Sequence, residues 1–237
     1  MHEEYHKWYS HRLHRDMELM IFGHAGAPTI VFPTSYARFY EWKDFNMIST
    51  IADKIDGGYL QLYCVDGIWT ETWYNYGIHP NARMQRHNAW EQYMIHEVYP
   101  LIRHKNPNHF TILTGTSFGA FIATLFALKH PWHVNKLVAM SGGYSTKGFL
   151  DGYYDEDVYF NSPLDFLPNL HDHHILERMR AIDIKLITST WDIPTCRETT
   201  LELSRKLWDK GVWNQCDVWN DAQHDWPDWR RMIRVYL

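Results

Sequence analysis

The fold is decided by residues 110–129, which read Phe110-Thr111-Ile112-Leu113-Thr114-Gly115-Thr116-Ser117-Phe118-Gly119-Ala120 and continue to Lys129. Phe110 to Leu113 is an apolar run of strand length, and Phe118 to Lys129 reads as a helix closed by Pro131. Between them stands Gly115-Thr116-Ser117-Phe118-Gly119, the pattern G-x-S-x-G at a strand-to-helix junction. Such a turn holds its serine in a strained backbone conformation, so the positions two before and two after must be small. The hydroxyl then projects above the sheet. The next N–H, that of Phe118, opens a helix where developing negative charge is favoured. Chance supplies only about 0.1 such pentapeptides in a chain of this length. The bland alternative is a glycine-flanked turn that happens to hold a serine, and the flanking strand and helix weigh against it.

Working outward, the same alternation recurs. Met17 to Phe22 and Thr29 to Phe32 are apolar runs, the second bounded by Pro28 and Pro33. Met47 to Ile55 carries apolar residues at helical spacing and stops at Gly57-Gly58, and Tyr59 to Val65 reads as a buried strand. A long helix is expected from about Asn81 to His104, striped by Trp90, Met94, Val98 and Leu101, with Pro100 placed to kink it. Beyond the serine, Lys136 to Met140 is a strand running into Ser141-Gly142-Gly143. Residues 144–170 have no clear period and read as a long, lid-like excursion. A helix (His174 to Met179), a strand (Ile184 to Thr188), a helix (Glu198 to Lys210), a strand (Val212 to Trp219) and a last helix from Pro227 follow. Strands alternating with helices require crossovers and a mostly parallel sheet. The two early strands, with no helix between them, read as antiparallel. The expectation is a three-layer α/β sandwich in a single domain, residues 1–237, with no repeat or linker to divide it.

Composition narrows the function classes. The 237 residues include 23 Lys+Arg against 28 Asp+Glu, a net charge of −5, with 45% hydrophobic and 22% charged residues. That balance excludes a disordered chain and leaves no cationic excess for nucleic acid. No apolar segment approaches a membrane span. The polar start Met1-His2-Glu3-Glu4-Tyr5-His6 has no apolar run, so no signal peptide is expected in it. Cys64, Cys196 and Cys216 are an odd number and far apart, so a reduced, cytoplasmic setting is expected. The excess lies in 12 Trp, 15 Tyr, 11 Phe and 16 His.

A serine hydroxyl needs a base to take its proton, and the base needs a carboxylate to orient it. After a G-x-S-x-G serine the chain order is acid, then histidine. Of the histidines following Ser117 (His130, His133, His171, His173, His174 and His224), only His224 follows the last expected strand, in a loop at the serine's end of the sheet. Asp192 follows the strand 184–188 and is the favoured acid; Asp155 or Asp157 is the runner-up. Asp221 and Asp225 flank the histidine too closely to reach its far nitrogen, and Asp192 also reads as an N-cap. Phe118 supplies one oxyanion donor, and Tyr36 or Ser35 in Pro33-Thr34-Ser35-Tyr36-Ala37 a second, with the register left open.

Gly115-Thr116-Ser117-Phe118-Gly119, Trp191-Asp192 and Gln223-His224-Asp225-Trp226-Pro227-Asp228-Trp229 together resemble the putative-esterase (esterase D-like) family of α/β hydrolases. The resemblance covers nearly the whole chain. It implies an α/β-hydrolase sandwich and carboxylic-ester hydrolysis through Ser117, Asp192 and His224, with no metal or organic cofactor. Phe118-Gly119-Ala120 departs from the Met-Gly-Gly of many members, so the acyl-pocket wall is expected to differ. Trp69, Trp73 and Trp226 fall beside the expected active-site loops and are read as substrate-binding. Packing of the loop on the body is the alternative for the first two. His171-Asp172-His173-His174 is read as a polar helix start rather than a metal site. The expected partner is a small-molecule ester, an acylated sugar or short acyl ester among them. Acyl transfer by the same triad and a non-catalytic binding protein on this fold are the competing readings.

Overall fold

Short β-branched and aromatic runs bounded by Gly and Pro assemble into one sheet. In the computed structural model, which describes residues 1–237, its strands are β1 (Glu3–Ser10), β2 (Arg15–Phe22), β3 (Ala27–Phe32), β4 (Leu60–Val65), β5 (Ile112–Thr116), β6 (Lys136–Met140), β7 (Asp183–Trp191) and β8 (Asn214–Gln223). Their order across the sheet is β1-β2-β4-β3-β5-β6-β7-β8. β1 and β2 are antiparallel, β2 runs antiparallel to β4, and every neighbouring pair from β4 to β8 is parallel.

Successive residues of a strand face opposite sides, and here they enter two separate cores. Leu19, Ile30, Tyr63, Leu113, Leu137 and Leu186 point into the larger one. It is shared with α4 (Pro80–Tyr93), α5 (Tyr99–Lys105), α6 (Phe118–Lys129), α9 (His173–Arg180) and α10 (Pro194–Asp209). Met20, Val31, Leu62, Val138 and Ile187 point into the smaller one. That side is covered by α1 (Glu41–Asp44), α2 (Met47–Thr50), α3 (Ala52–Asp56) and α11 (Trp226–Tyr236). This is the expected three-layer α/β sandwich. No helix is long and apolar enough to cross a membrane.

Three details differ from the sequence reading. β1 was read only as a polar start; it is an edge strand whose residues alternate between exposed and half-buried, so it carries no apolar run. The strands β2 and β3, read as an antiparallel pair, run in opposite directions but are separated by β4. The long helix is interrupted by a π turn at Met94–Val98, just before Pro100, whose missing N–H breaks the regular ladder.

The excursion 144–170 folds into α7 (Glu156–Phe160), α8 (Pro163–Phe166) and a 3-10 turn. Polar side chains anchor it to the body. Asn81 donates to Asp155 at 2.7 Å, Asn88 to Asp157 at 2.9 Å, and Lys129 to Asn161 at 2.7 Å. The almost fully buried Arg83 donates to the Phe149 carbonyl at 2.7 Å.

Candidate active site

The carboxyl ends of β5, β6, β7 and β8 lie side by side, so loops distant in sequence meet there. At the end of β5 the chain turns into α6 through Ser117, whose φ of 54° and ψ of −124° form the sharp bend that G-x-S-x-G predicts. The flanking glycines are required by close approach. A Cβ on Gly115 would lie 2.3 Å from the Gly119 carbonyl carbon, and one on Gly119 would lie 2.2 Å from the Phe32 carbonyl oxygen. The two glycines therefore let the chain turn sharply and let α6 press directly on the end of β3.

His224 Nε2 lies 2.9 Å from Ser117 Oγ, and His224 Nδ1 lies 2.6 Å from Asp192 Oδ1. The imidazole bridges the hydroxyl and the carboxylate, residues 107 and 32 positions away. Asp192 is buried; Thr188 Oγ1 donates to its Oδ2 at 2.9 Å and the Ile193 N–H to its Oδ1 at 2.8 Å. Burial alone would push its carboxyl up, but the hydrogen bond and charge of His224, with Ser141 and Thr188, hold it below the usual carboxylate range. It stays anionic beside the imidazole. Trp229 packs edge-on to His224 at 5.0 Å and donates to Ser141 Oγ at 3.0 Å, which fixes the second face of the ring.

The competing carboxylates have other work. Asp155 caps α7, accepting from the Val158 N–H at 2.8 Å, and Asp225 caps α11. Asp172 accepts from the His174 and Ile175 N–H groups, so the His171–His174 run is a capped helix start. Asp192, Cys196 and His224 bring ligand-type atoms within 4.8 Å of one another. The bonds of Asp192 and His224 to each other and to Ser117 already use those atoms.

The chain belongs to the putative esterase family. Its family model matches residues 66–235, more than half of the sequence. No curated protein sequence matches the chain. Among solved structures, a ferulic acid esterase superposes with a TM-score of 0.78 at 15% identity, over 99% of this chain and 95% of that one. The apoenzyme of S-formylglutathione hydrolase FrmB from Staphylococcus aureus gives a TM-score of 0.71 at 13% identity, over 99% and 94%. FphF, a fluorophosphonate-binding serine hydrolase of the same organism, gives a TM-score of 0.71 at 13% identity, over 99% and 96%. At these identities the structures establish the α/β-hydrolase fold, and the family makes the chain a carboxylic ester hydrolase.

Beside Ser117 the esterase has a cavity of about 140 Å³, walled by Ser35, Tyr74, Phe118, Phe149 and Cys196 among others. The Phe118 N–H stands at the first position of α6, where no intrahelical acceptor exists. Tyr36 has φ 59° and an exposed ring lying 4.3 Å from that of Tyr74; its neighbour Ser35 lines the cavity and hydrogen-bonds the Tyr74 hydroxyl at 2.6 Å.

Two of the expected substrate-binding tryptophans are placed differently. Trp69 and Trp73 are 1% and 0% exposed and line no surface. They pack edge-on against Phe118 at 5.5 and 6.2 Å, and Trp69 donates to the Pro33 carbonyl at 3.3 Å. Their loop does lie at the active-site end, but the two indoles turn inward to bury area and leave Tyr74 of the same loop, with Phe118, on the cavity wall. Trp226 is half-buried, stacked on Phe45 at 4.4 Å, two residues beyond His224. Sequence reasoning missed Phe149, Cys196 and Trp229. Phe149 lies in an aperiodic segment, Cys196 is a single thiol, and Trp229 reads as part of the His224 run and the terminal helix with no role of its own.

Proposed function

We propose that the esterase cleaves carboxylic esters through an acyl-enzyme on Ser117. The observation that carries this reading is the unbroken relay Ser117 Oγ, His224, Asp192, with separations of 2.9 and 2.6 Å. Ser117 Oγ attacks the ester carbonyl while His224 Nε2 takes its proton. Asp192 holds Nδ1–H and stabilises the imidazolium. The carbonyl oxygen, now negative, accepts from the Phe118 N–H and from a second N–H in the Ser35–Tyr36 turn, the Tyr36 N–H being the favoured one. His224 returns the proton to the leaving alcohol, and water repeats the sequence to release the acid. No step calls for a cofactor. Trp226 is assigned to the substrate-binding surface on the His224 side, where the sugar of an acylated-sugar ester would be a suitable leaving alcohol. Three unpaired cysteines fit a reducing, cytoplasmic setting.

The reading is tested by hydrolysis of p-nitrophenyl acetate. Ser117→Ala is expected to lose at least about 10⁴-fold in kcat, with its thermal transition retained. A variant that keeps full activity would exclude Ser117 as the nucleophile.

A further inference from the structure

We infer that the esterase accepts short acyl groups, from acetyl to about butyryl, and that Phe149 sets the limit; this rests on Ser117 and His224 acting as proposed above. The leaving alcohol must take its proton from His224 Nε2, so it lies on the His224 side of the scissile bond. The cavity at Ser117 is walled by Tyr74, Phe118, Gly143, Ser145, Phe149 and Cys196, and includes neither His224 nor any residue of its loop. It therefore receives the acyl chain.

Its volume of about 140 Å³ is well below the roughly 300 Å³ at which pockets for drug-sized ligands begin. A cavity this small suits a short acyl chain and not a long one. Three rings in mutual contact form one wall: Tyr74–Phe118 at 5.0 Å, Tyr74–Phe149 at 5.4 Å and Phe118–Phe149 at 5.5 Å. Buried Trp73 stands behind them, 5.8 Å from Phe149. Two of the three rings are committed elsewhere. Phe118 opens α6 and carries the oxyanion donor, and the Tyr74 hydroxyl is bonded to Ser35. Phe149 is half-buried, its ring packs against Trp73, Tyr74 and Phe118, and Arg83 fixes its carbonyl. Truncating it lengthens the cavity and leaves the catalytic groups intact.

The alcohol side is open by contrast. Trp191, 64% exposed, pairs with Gln223 immediately before His224, and Ile193 is 48% exposed. Trp226 and Phe45 stack on the other flank. Selection therefore falls on the acyl chain and leaves the alcohol free to be large.

The test compares kcat/KM for p-nitrophenyl acetate, butyrate, hexanoate and octanoate in wild type, Phe149→Ala and Phe149→Leu, with Ser117→Ala as the blank. A methylene that a pocket cannot accept costs roughly tenfold or more. Wild type is thus expected to fall at least about tenfold from butyrate to octanoate. Phe149→Ala should raise the octanoate-to-acetate ratio about tenfold, with Phe149→Leu between. Thermal unfolding checks that each variant is folded; should Phe149→Ala fail to fold, Phe149→Leu and the wild-type profile decide. A wild type that prefers octanoate, or a ratio unchanged in the folded variants, overturns the inference. If Ser117→Ala is inert while the ratio stays unchanged, the inference falls alone. If Ser117→Ala is as active as wild type, the serine-hydrolase reading falls and the inference with it.

Discussion

Ser117, Asp192 and His224 differ in how their surroundings specify them. Ser117 is forced into position by backbone sterics, because Gly115 and Gly119 leave no other place for the bend. Asp192 is forced by electrostatics: a buried carboxylate must be paired, and Thr188, the Ile193 N–H and His224 supply the partners. Asp192→Asn keeps the shape but reverses the hydrogen-bond role toward Nδ1. It is expected to lower kcat about 10⁴-fold with little change in KM, read from steady-state ester hydrolysis. Chain order reduces the 16 histidines to the six after Ser117, and of these only His224 follows the last expected strand. The roles of Phe149 and Trp229 were not legible, because each depends on a contact made by folding (Phe149 with Phe118, Trp229 with Ser141) and leaves no local pattern.

Among the elements, the junction of β3, β5 and α6 carries the most constraint. Gly119→Ala places a methyl against the Phe32 carbonyl and must separate α6 from β3. A loss of about 2–3 kcal/mol is expected from this overpacking, measurable as a lower urea midpoint, with an even larger loss of esterase activity as the oxyanion donor moves. β3 to β7 were legible because most of their residues are buried on both faces, so they read as largely apolar runs. β1 was not, since an edge strand is half solvated and its sequence EEYHKWYS holds Glu3, Glu4 and Lys7 with no apolar run. The break in the long helix was half legible: Pro100 announced a disturbance, and the π turn before it is how the ladder absorbs the missing donor.

For the molecule as a whole, a buried polar line is the feature most exposed to conditions. Arg83, His87 and Glu91 follow one another at four-residue intervals along α4, all buried, and Lys129 reaches Glu91 at 2.6 Å. Burial pushes His87 down from 6.5 to about 4. Its stabilising contribution is therefore complete above pH 6.5 and is lost as pH falls toward 4, because the unfolded chain binds the proton more readily. Burial alone would raise Glu91, but Lys129 and His130 bring it from 4.5 to about 2, so its contribution is lost as pH falls from 4.5 toward 2. The two losses have the same sign. Urea unfolding is expected to show on the order of 3 kcal/mol less stability at pH 4 than at pH 7 from His87. His87→Phe should flatten that slope while leaving the one below pH 4.5. A His87→Phe slope equal to that of wild type would place the acid sensitivity elsewhere. We also propose that residues 1–237 form one domain, since a single sheet runs from β1 to β8 between the two cores; one cooperative unfolding transition is the expected result.

Covalent acylation of Ser117 is the central step of the proposed reaction, and an irreversible organophosphate ester such as diethyl p-nitrophenyl phosphate reads the reactivity of that hydroxyl directly. Intact-mass and peptide mass spectrometry should find one diethylphosphoryl group, on the peptide containing Ser117, appearing in step with loss of esterase activity and absent from Ser117→Ala. Inactivation with the label on another residue, or an active enzyme whose Ser117 never labels, would contradict it.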